Sequence, residues 1–107
     1  MKDLGKLLKQ AKDIQDRVAE AQAALERLEV EGQSGGGLVV AVMNGKGDLK
    51  RLKIDRGLLK PDEVEILEDL IVAAHNDAKE KAQARAAAEM SKVTSGLPLP
   101  PGFKFPV

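Results

Sequence analysis

The chain has 107 residues, enough for one domain by the usual size of roughly 100–200 residues. Its 17 basic and 17 acidic side chains balance, which excludes a grossly basic nucleic-acid arm but not a local basic face. It has no Cys, one His and no Trp or Tyr, so disulfides, Cys-ligated zinc and thiol nucleophiles are excluded, and few parts remain for catalysis or base stacking. No apolar run reaches the roughly 18–20 residues of a membrane span. The first residues carry no apolar core of a signal peptide, so the expected location is the cytoplasm.

The strongest pattern covers residues 2–29. Leu4, Leu7, Ala11, Ile14, Val18, Ala21, Leu25 and Leu28 repeat at alternating spacings of three and four, a heptad seam. At ~1.5 Å per residue such a helix is on the order of 40 Å long. A compact domain of this size has a radius of gyration of only about 13 Å. The helix must therefore project, pair with another long helix, or meet a second chain.

The period then changes. Leu28, Val30 and Gly32 alternate with Glu29, Glu31 and Gln33, which suits a short strand. Ser34-Gly35-Gly36-Gly37 reads as a flexible connection. Leu38 to Met43 is a continuous apolar run, expected to be a strand buried on both faces. Asn44-Gly45 is a hairpin signal, because both residues accept positive φ. In the next strand, Leu49 to Ile54, Leu52 and Ile54 are expected to face the core and Arg51 and Lys53 the other side. The expectation is a three-stranded antiparallel meander over residues 28–55.

Pro61 suits a first helical turn, and Asp62, Glu63, Glu65, Glu68 and Asp69 load the early turns with the negative charge a helix dipole favours. Val64, Leu67, Leu70, Ile71, Ala74, Ala78 and Ala82 form a stripe on a helix expected within 61–95. From Ala82 onward the helix is alanine-rich, with little to bury, and reads as a second projecting arm. The tail 97–107 is extended and proline-rich and holds both Phe residues, Phe103 and Phe105. It suits either a recognition peptide or a segment docked on the body or on a partner subunit.

No motif points to catalysis. Gly35-Gly36-Gly37 has Val40 where a dinucleotide loop needs glycine, and Gly45-Lys46 is followed by Gly47 rather than Ser or Thr. The acids at 62–69 follow from the helix dipole, so no metal site is expected. His75 has Asn76 and Asp77 beside it, but neighbours one and two positions away do not share its face. The expectation is a non-enzymatic protein with no cofactor, no metal, no small-molecule substrate and no membrane contact.

Charge is uneven along the chain. Residues 32–59 carry five basic and two acidic side chains. Lys2, Lys6, Lys9 and Lys12 cluster at the start of the first helix, and Lys79, Lys81, Arg85 and Lys92 lie in the distal half of the last. Without Tyr or Trp, stacking on single strands is disfavoured, and phosphate or shape recognition of a duplex is the nucleic-acid mode this composition allows.

Several stretches match a known pattern: Leu4-Gly5-Lys6-Leu7-Leu8-Lys9-Gln10-Ala11, Gly35-Gly36-Gly37-Leu38-Val39, Val42-Met43-Asn44-Gly45-Lys46-Gly47 and Ile54-Asp55. They continue with Leu67 to Ala74, Asn76-Asp77-Ala78 and Leu99-Pro100-Pro101-Gly102-Phe103. In order and spacing across the chain, the sequence resembles the YbaB/EbfC family of bacterial nucleoid-associated DNA-binding proteins. Arg56-Gly57 departs from the family's usual Pro and small residue, in the connector only. The resemblance implies an α+β fold: an α-β-β-β-α protomer, dimerising through its sheets with its long helices projecting. It also implies binding to double-stranded DNA, altered DNA conformation and a role in nucleoid organisation or gene regulation.

Charge placement nominates Lys2, Lys6, Lys9, Lys12, Lys79, Lys81, Arg85 and Lys92 as phosphate contacts, with Lys50, Arg51 and Lys53 as second choice. Leu38, Val40, Val42 and Leu52 are the expected homodimer interface. The alternative is a protein–protein adaptor that uses the heptad helix and the tail, with incidental DNA contact.

Overall fold

The computed structural model describes residues 3–95, so the tail 97–107 lies outside the described residues. The order is helix α1 (Leu4–Arg27), strands β1 (Glu29–Ser34), β2 (Val39–Asn44) and β3 (Leu49–Ile54), then helix α2 (Val64–Thr94). Short 3-10 turns occupy Gly35–Gly37, Arg56–Leu58 and Pro61–Glu63. The sheet is antiparallel throughout, in the order β1-β2-β3. The shape is long and thin, 73 × 24 × 16 Å, with a radius of gyration of 19.7 Å.

Two separate apolar clusters hold the molecule together. In the first, α2 lies on β1 and β2, and Val30, Val39, Ala41 and Met43 meet Ala74, Ala78 and Ala82. The alanines recur every four residues and so form one helix face. Gly32 lies against this face with no side chain of its own, and backbone meets backbone there. In the second cluster, Ala21 and Leu25 of α1 pack on Ala86, Met90 and Val93 of α2. Leu25 shares a groove with Ala82, Ala86 and Met90, while Arg17 and Ala21 share one with Glu89, Lys92 and Val93. The two helices therefore run antiparallel.

This pairing settles what α1 does with its length. The C-terminal half of the seam is buried on α2, and the N-terminal half runs on beyond, with Leu4 and Leu7 each 59% exposed. The alanine-rich part of α2, expected to have little to bury, is closed against α1 instead. Its small side chains let the two helices approach closely.

The strand and turn expectations need three corrections. Leu38 is not in β2; it caps the glycine turn in helical conformation and is exposed. Gly35, Gly36 and Gly37 all take positive φ in a hydrogen-bonded turn rather than a flexible link. Asn44 does not take positive φ. Its buried side chain instead accepts from the Lys46 and Asp48 N–H groups, both at 3.0 Å, and so folds the turn. Gly47 supplies the left-handed residue, and Gly45 admits Leu25, whose carbonyl accepts its N–H at 2.8 Å.

Candidate nucleic-acid interface

The free part of α1 is an exposed, cation-rich segment. Lys6, Lys9 and Lys12 are exposed, and none forms an ion pair among the described residues. At ~100° of turn per residue, Lys6 and Lys9 lie roughly opposite the leucine seam. Lys12 lies about 60° around the helix from Lys9 and about 120° from Lys6, nearer the seam. Lys2 lies outside the described residues. This segment thus offers free ammonium groups on one side and a bare apolar strip on the other.

The basic residues of α2 are not gathered into one patch. Lys79 lines a groove of about 460 Å³ with Lys46, Gln22, Gln83 and the hairpin glycines. Lys81 sits on the opposite flank, where it donates to the Glu31 carbonyl at 3.2 Å and to Asp77 at 3.1 Å. Lys92 pairs with Glu89 at 3.2 Å. Arg85 is exposed and unpaired among the described residues. Two of the four nominated cations of α2 are therefore already engaged. Sequence reasoning missed Arg17, which the helix pairing brings beside Lys92 in a shallow groove. No local spacing signals that meeting, because it depends on how two distant helices pack.

Asp77 and Lys81 also close the outer edge of β1. Asp77 accepts from the Gln33 N–H at 3.0 Å while Lys81 takes the Glu31 carbonyl. The Gln33 N–H first, and Lys81 second, hold the Asp77 carboxyl below its ordinary range. A lowered folded-state pKa stabilises the fold fully above the ordinary aspartate value of about 4, and that contribution is lost as the pH falls through the lowered value. Asp77→Asn should therefore reduce the urea midpoint more at about pH 7 than at about pH 3. Equal reductions at both pH values would contradict this assignment.

On the sheet face away from α2, Arg51 of β3 reaches across β2 to Glu29 of β1, donating two hydrogen bonds at 2.7 and 3.1 Å. Each partner favours the other's charged form: the Glu29 carboxyl is lowered and the Arg51 guanidinium raised. At the hairpin, Lys46 binds Glu26 at 2.9 Å and lowers that carboxyl likewise. Such exposed pairs add little to stability, because water and salt screen them.

The nominated dimer residues are divided between the two faces. Val40 and Val42 point away from α2, paired across strands with Lys53 and Arg51. Val42 is already buried in the protomer, flanked by Glu31 and Arg51. Leu52, opposite Ala41, is on the α2 side of the sheet, yet remains 37% exposed because α2 covers β1 and β2 rather than β3. Leu38 and Leu49 are exposed near the two ends of β3. Among the described residues, nothing pairs with the outer edge of β3.

Among the described residues there is no cluster of three or more His, Asp or Glu able to hold a metal ion, and no helix is long and apolar enough to cross a membrane. A sequence model of the YbaB/EbfC DNA-binding family matches residues 1–97. The nucleoid-associated protein Atu0095 of Agrobacterium fabrum is 53% identical over 106 residues, spanning 99% of both chains. A nucleoid-associated protein of Granulibacter bethesdensis is 58% identical over the same length and coverage. The crystal structure of the uncharacterized protein HP0035 from Helicobacter pylori shares the fold, with a TM-score of 0.75 at 22% identity over 84% of this chain and 95% of that one.

Proposed function

The chain belongs to the YbaB/EbfC DNA-binding family, a non-enzymatic one, and from that premise we propose that it binds double-stranded DNA through phosphate contacts at the bacterial nucleoid. The observation that supports this reading is the free half of α1, where Lys6, Lys9 and Lys12 stand exposed without acidic partners among the described residues. Ammonium groups so placed displace the counterions condensed on a duplex, and that release drives binding. Arg85 and Lys79 add cations further along the molecule. Lys2 belongs to the same proposed set, while Lys81 and Lys92 contribute less because Asp77 and Glu89 hold them. Lys50 and Lys53 remain the second choice, with Arg51 held by Glu29.

The proposed binding unit is a homodimer joined at the sheets, which presents two arms to one duplex and alters its path. The open edge of β3 and exposed Leu38, Leu49 and Leu52 favour that side of the sheet. Val40 extends the interface on the other face, and Val42 lies beneath it rather than at its surface. Leu52→Glu is expected to shift the mass in solution from dimer to protomer, read by sedimentation equilibrium; an unchanged dimer mass would remove β3 from the interface.

Lys6→Glu with Lys9→Glu tests the arm. Fluorescence anisotropy on a duplex should show weaker binding and a log–log salt slope shallower by roughly 0.9 for each phosphate no longer neutralised. Unchanged affinity and slope in a variant of normal mass would place the DNA-binding surface away from α1. The adaptor reading has no observation in its favour beyond the exposed seam treated next.

A further inference from the structure

We propose that the uncovered half of the α1 seam pairs antiparallel with the same segment of a second copy of this chain, Leu4 against the second copy's Ile14 and Leu7 against its Ala11. This inference does not rest on DNA binding.

The seam is one continuous surface with two fates. Its C-terminal half, through Ala21 and Leu25, is buried on α2. Its N-terminal half carries Leu4, Leu7 and Leu8, exposed at 59, 59 and 65%. Helix α2 ends at Thr94, near the level of Arg17, which shares a groove with Lys92 and Val93. Beyond that level nothing covers the seam among the described residues. A second antiparallel helix laid there would continue the line that α2 begins.

The arm is complementary to its own copy. In an antiparallel helix pair, the a positions of one heptad seam meet the d positions of the other. Leu4 and Ala11 occupy a, and Leu7 and Ile14 occupy d. Two arms in opposite directions therefore form four apolar layers, Leu4 on Ile14 twice and Leu7 on Ala11 twice. The flanking positions agree in the same register. Leu8 meets the second copy's Leu8 on one flank, and Gln10 meets its Gln10 on the other. On the Gln10 flank Asp3 comes opposite the second copy's Arg17, and Arg17 opposite its Asp3. Both residues are exposed and form no ion pair within the protomer among the described residues. The flanks thus hold two opposite-charge pairs and no like-charge pair. A parallel pair would set Asp3 against Leu8 and Arg17 against Gln22, with no charge complement.

Pairing on this side leaves Lys6 and Lys9 outward, since they lie on the other face of the helix. The arms can therefore join two molecules without masking the charged surface. Two heptads a side make a contact at the low end of specific interfaces, roughly 1,200 Å². A covalent trap reads so small a contact better than a mass measurement does.

The chain has no cysteine, which makes the trap direct. Full-length Leu7→Cys and Ala11→Cys chains are mixed in equal amounts, unfolded together in urea, refolded and mildly oxidised. The antiparallel register brings these two sites into one layer, whereas two copies of either site are offset by four residues, about 6 Å along the helix. A disulfide tolerates little such displacement. The mixed disulfide, separated by mass, should form about tenfold faster or more than either like disulfide. A mixed product at the statistical twofold excess, or a preference for like disulfides, would overturn the proposal. The preference should persist when Leu52→Glu is added to both chains, which separates this contact from the sheet interface; its loss there would overturn the proposal too.

Charge tests the register independently. Asp3→Arg in both cysteine chains replaces two opposite-charge pairs by two like-charge pairs and should slow the mixed disulfide by about tenfold. Asp13→Arg, the same change of charge on the outer face, should leave the rate near its starting value. Asp3→Arg in one chain with Arg17→Asp in the other re-forms both pairs and should restore the rate. All of these sites are exposed, so the fold itself is not at stake. Equal slowing by Asp13→Arg, or no recovery in the complementary mixture, would overturn the pairing.

Discussion

Gly32→Ala is expected to destabilise the fold by about 3 kcal/mol or more, the upper range for forcing atoms into a packed core. A methyl at Gly32 would sit 2.5 Å from the Ala74 carbonyl oxygen and 2.6 Å from the Ala78 Cα, with the Ala78 nitrogen closer still. All three are backbone atoms of α2, so no side chain can swing aside. Either the helix lifts from the sheet or β1 shifts in register. Lifting the helix would open the cluster in which Val39, Ala41, Met43, Ala74 and Ala78 have no measurable exposure. For a domain of this size 1 kcal/mol corresponds to roughly 4–8 °C, so the melting temperature should fall by more than about 12 °C. A melting temperature within a few degrees of the parent's would show that the helix does not lie this close to the strand.

The second large effect comes from Leu25, which is 2% exposed and faces Ala86, Met90 and Val93. Leu25→Ala is expected to cost about 2–5 kcal/mol of local stability, because the removed atoms leave a cavity that stiff helices only partly close. The location of the loss is the informative part. The α1–α2 cluster shares no buried residue with the sheet cluster. Amides of residues 17–27 should therefore exchange faster while those of β2 keep most of their protection. Uniform loss across both clusters would show that they unfold as one unit. DNA binding should weaken in the same variant, since a loosened α1 no longer holds Lys6 and Lys9 in fixed positions.

Periodicity made the helices and the meander legible, because a seam at three-and-four spacing and an alternating strand each leave a local signature. What those signatures touch was not legible. The stripe Ala74, Ala78, Ala82 reads as a small-residue face, but its partner Gly32 lies some 40–50 residues away. The apolar run ending at Met43 reads as doubly buried, and β2 is largely so, but the run does not show what covers each face: α2 on one, and the neighbouring strands with the Arg51–Glu29 bridge beside buried Val42 on the other. Lys81 reads as a free cation from composition. Its pairing with Asp77, four residues back, was available from helix spacing; its bond to the Glu31 carbonyl was not, since it needs β1 beside α2. Lysines on a projecting half-helix, such as Lys6 and Lys9, were the easier case. Among the described residues nothing folds against them on their own face, so their local pattern is also their environment there.

The central claim is that free cations on α1 bind a DNA duplex by displacing counterions. The most direct measurement is anisotropy of a labelled duplex titrated with the full-length protein over a range of salt, with the mass in solution measured alongside. The account expects a dimer that binds with a steep negative log–log slope, roughly 0.9 per phosphate neutralised. A folded dimer that fails to bind duplex at low salt, or binds with a flat salt dependence, would contradict it.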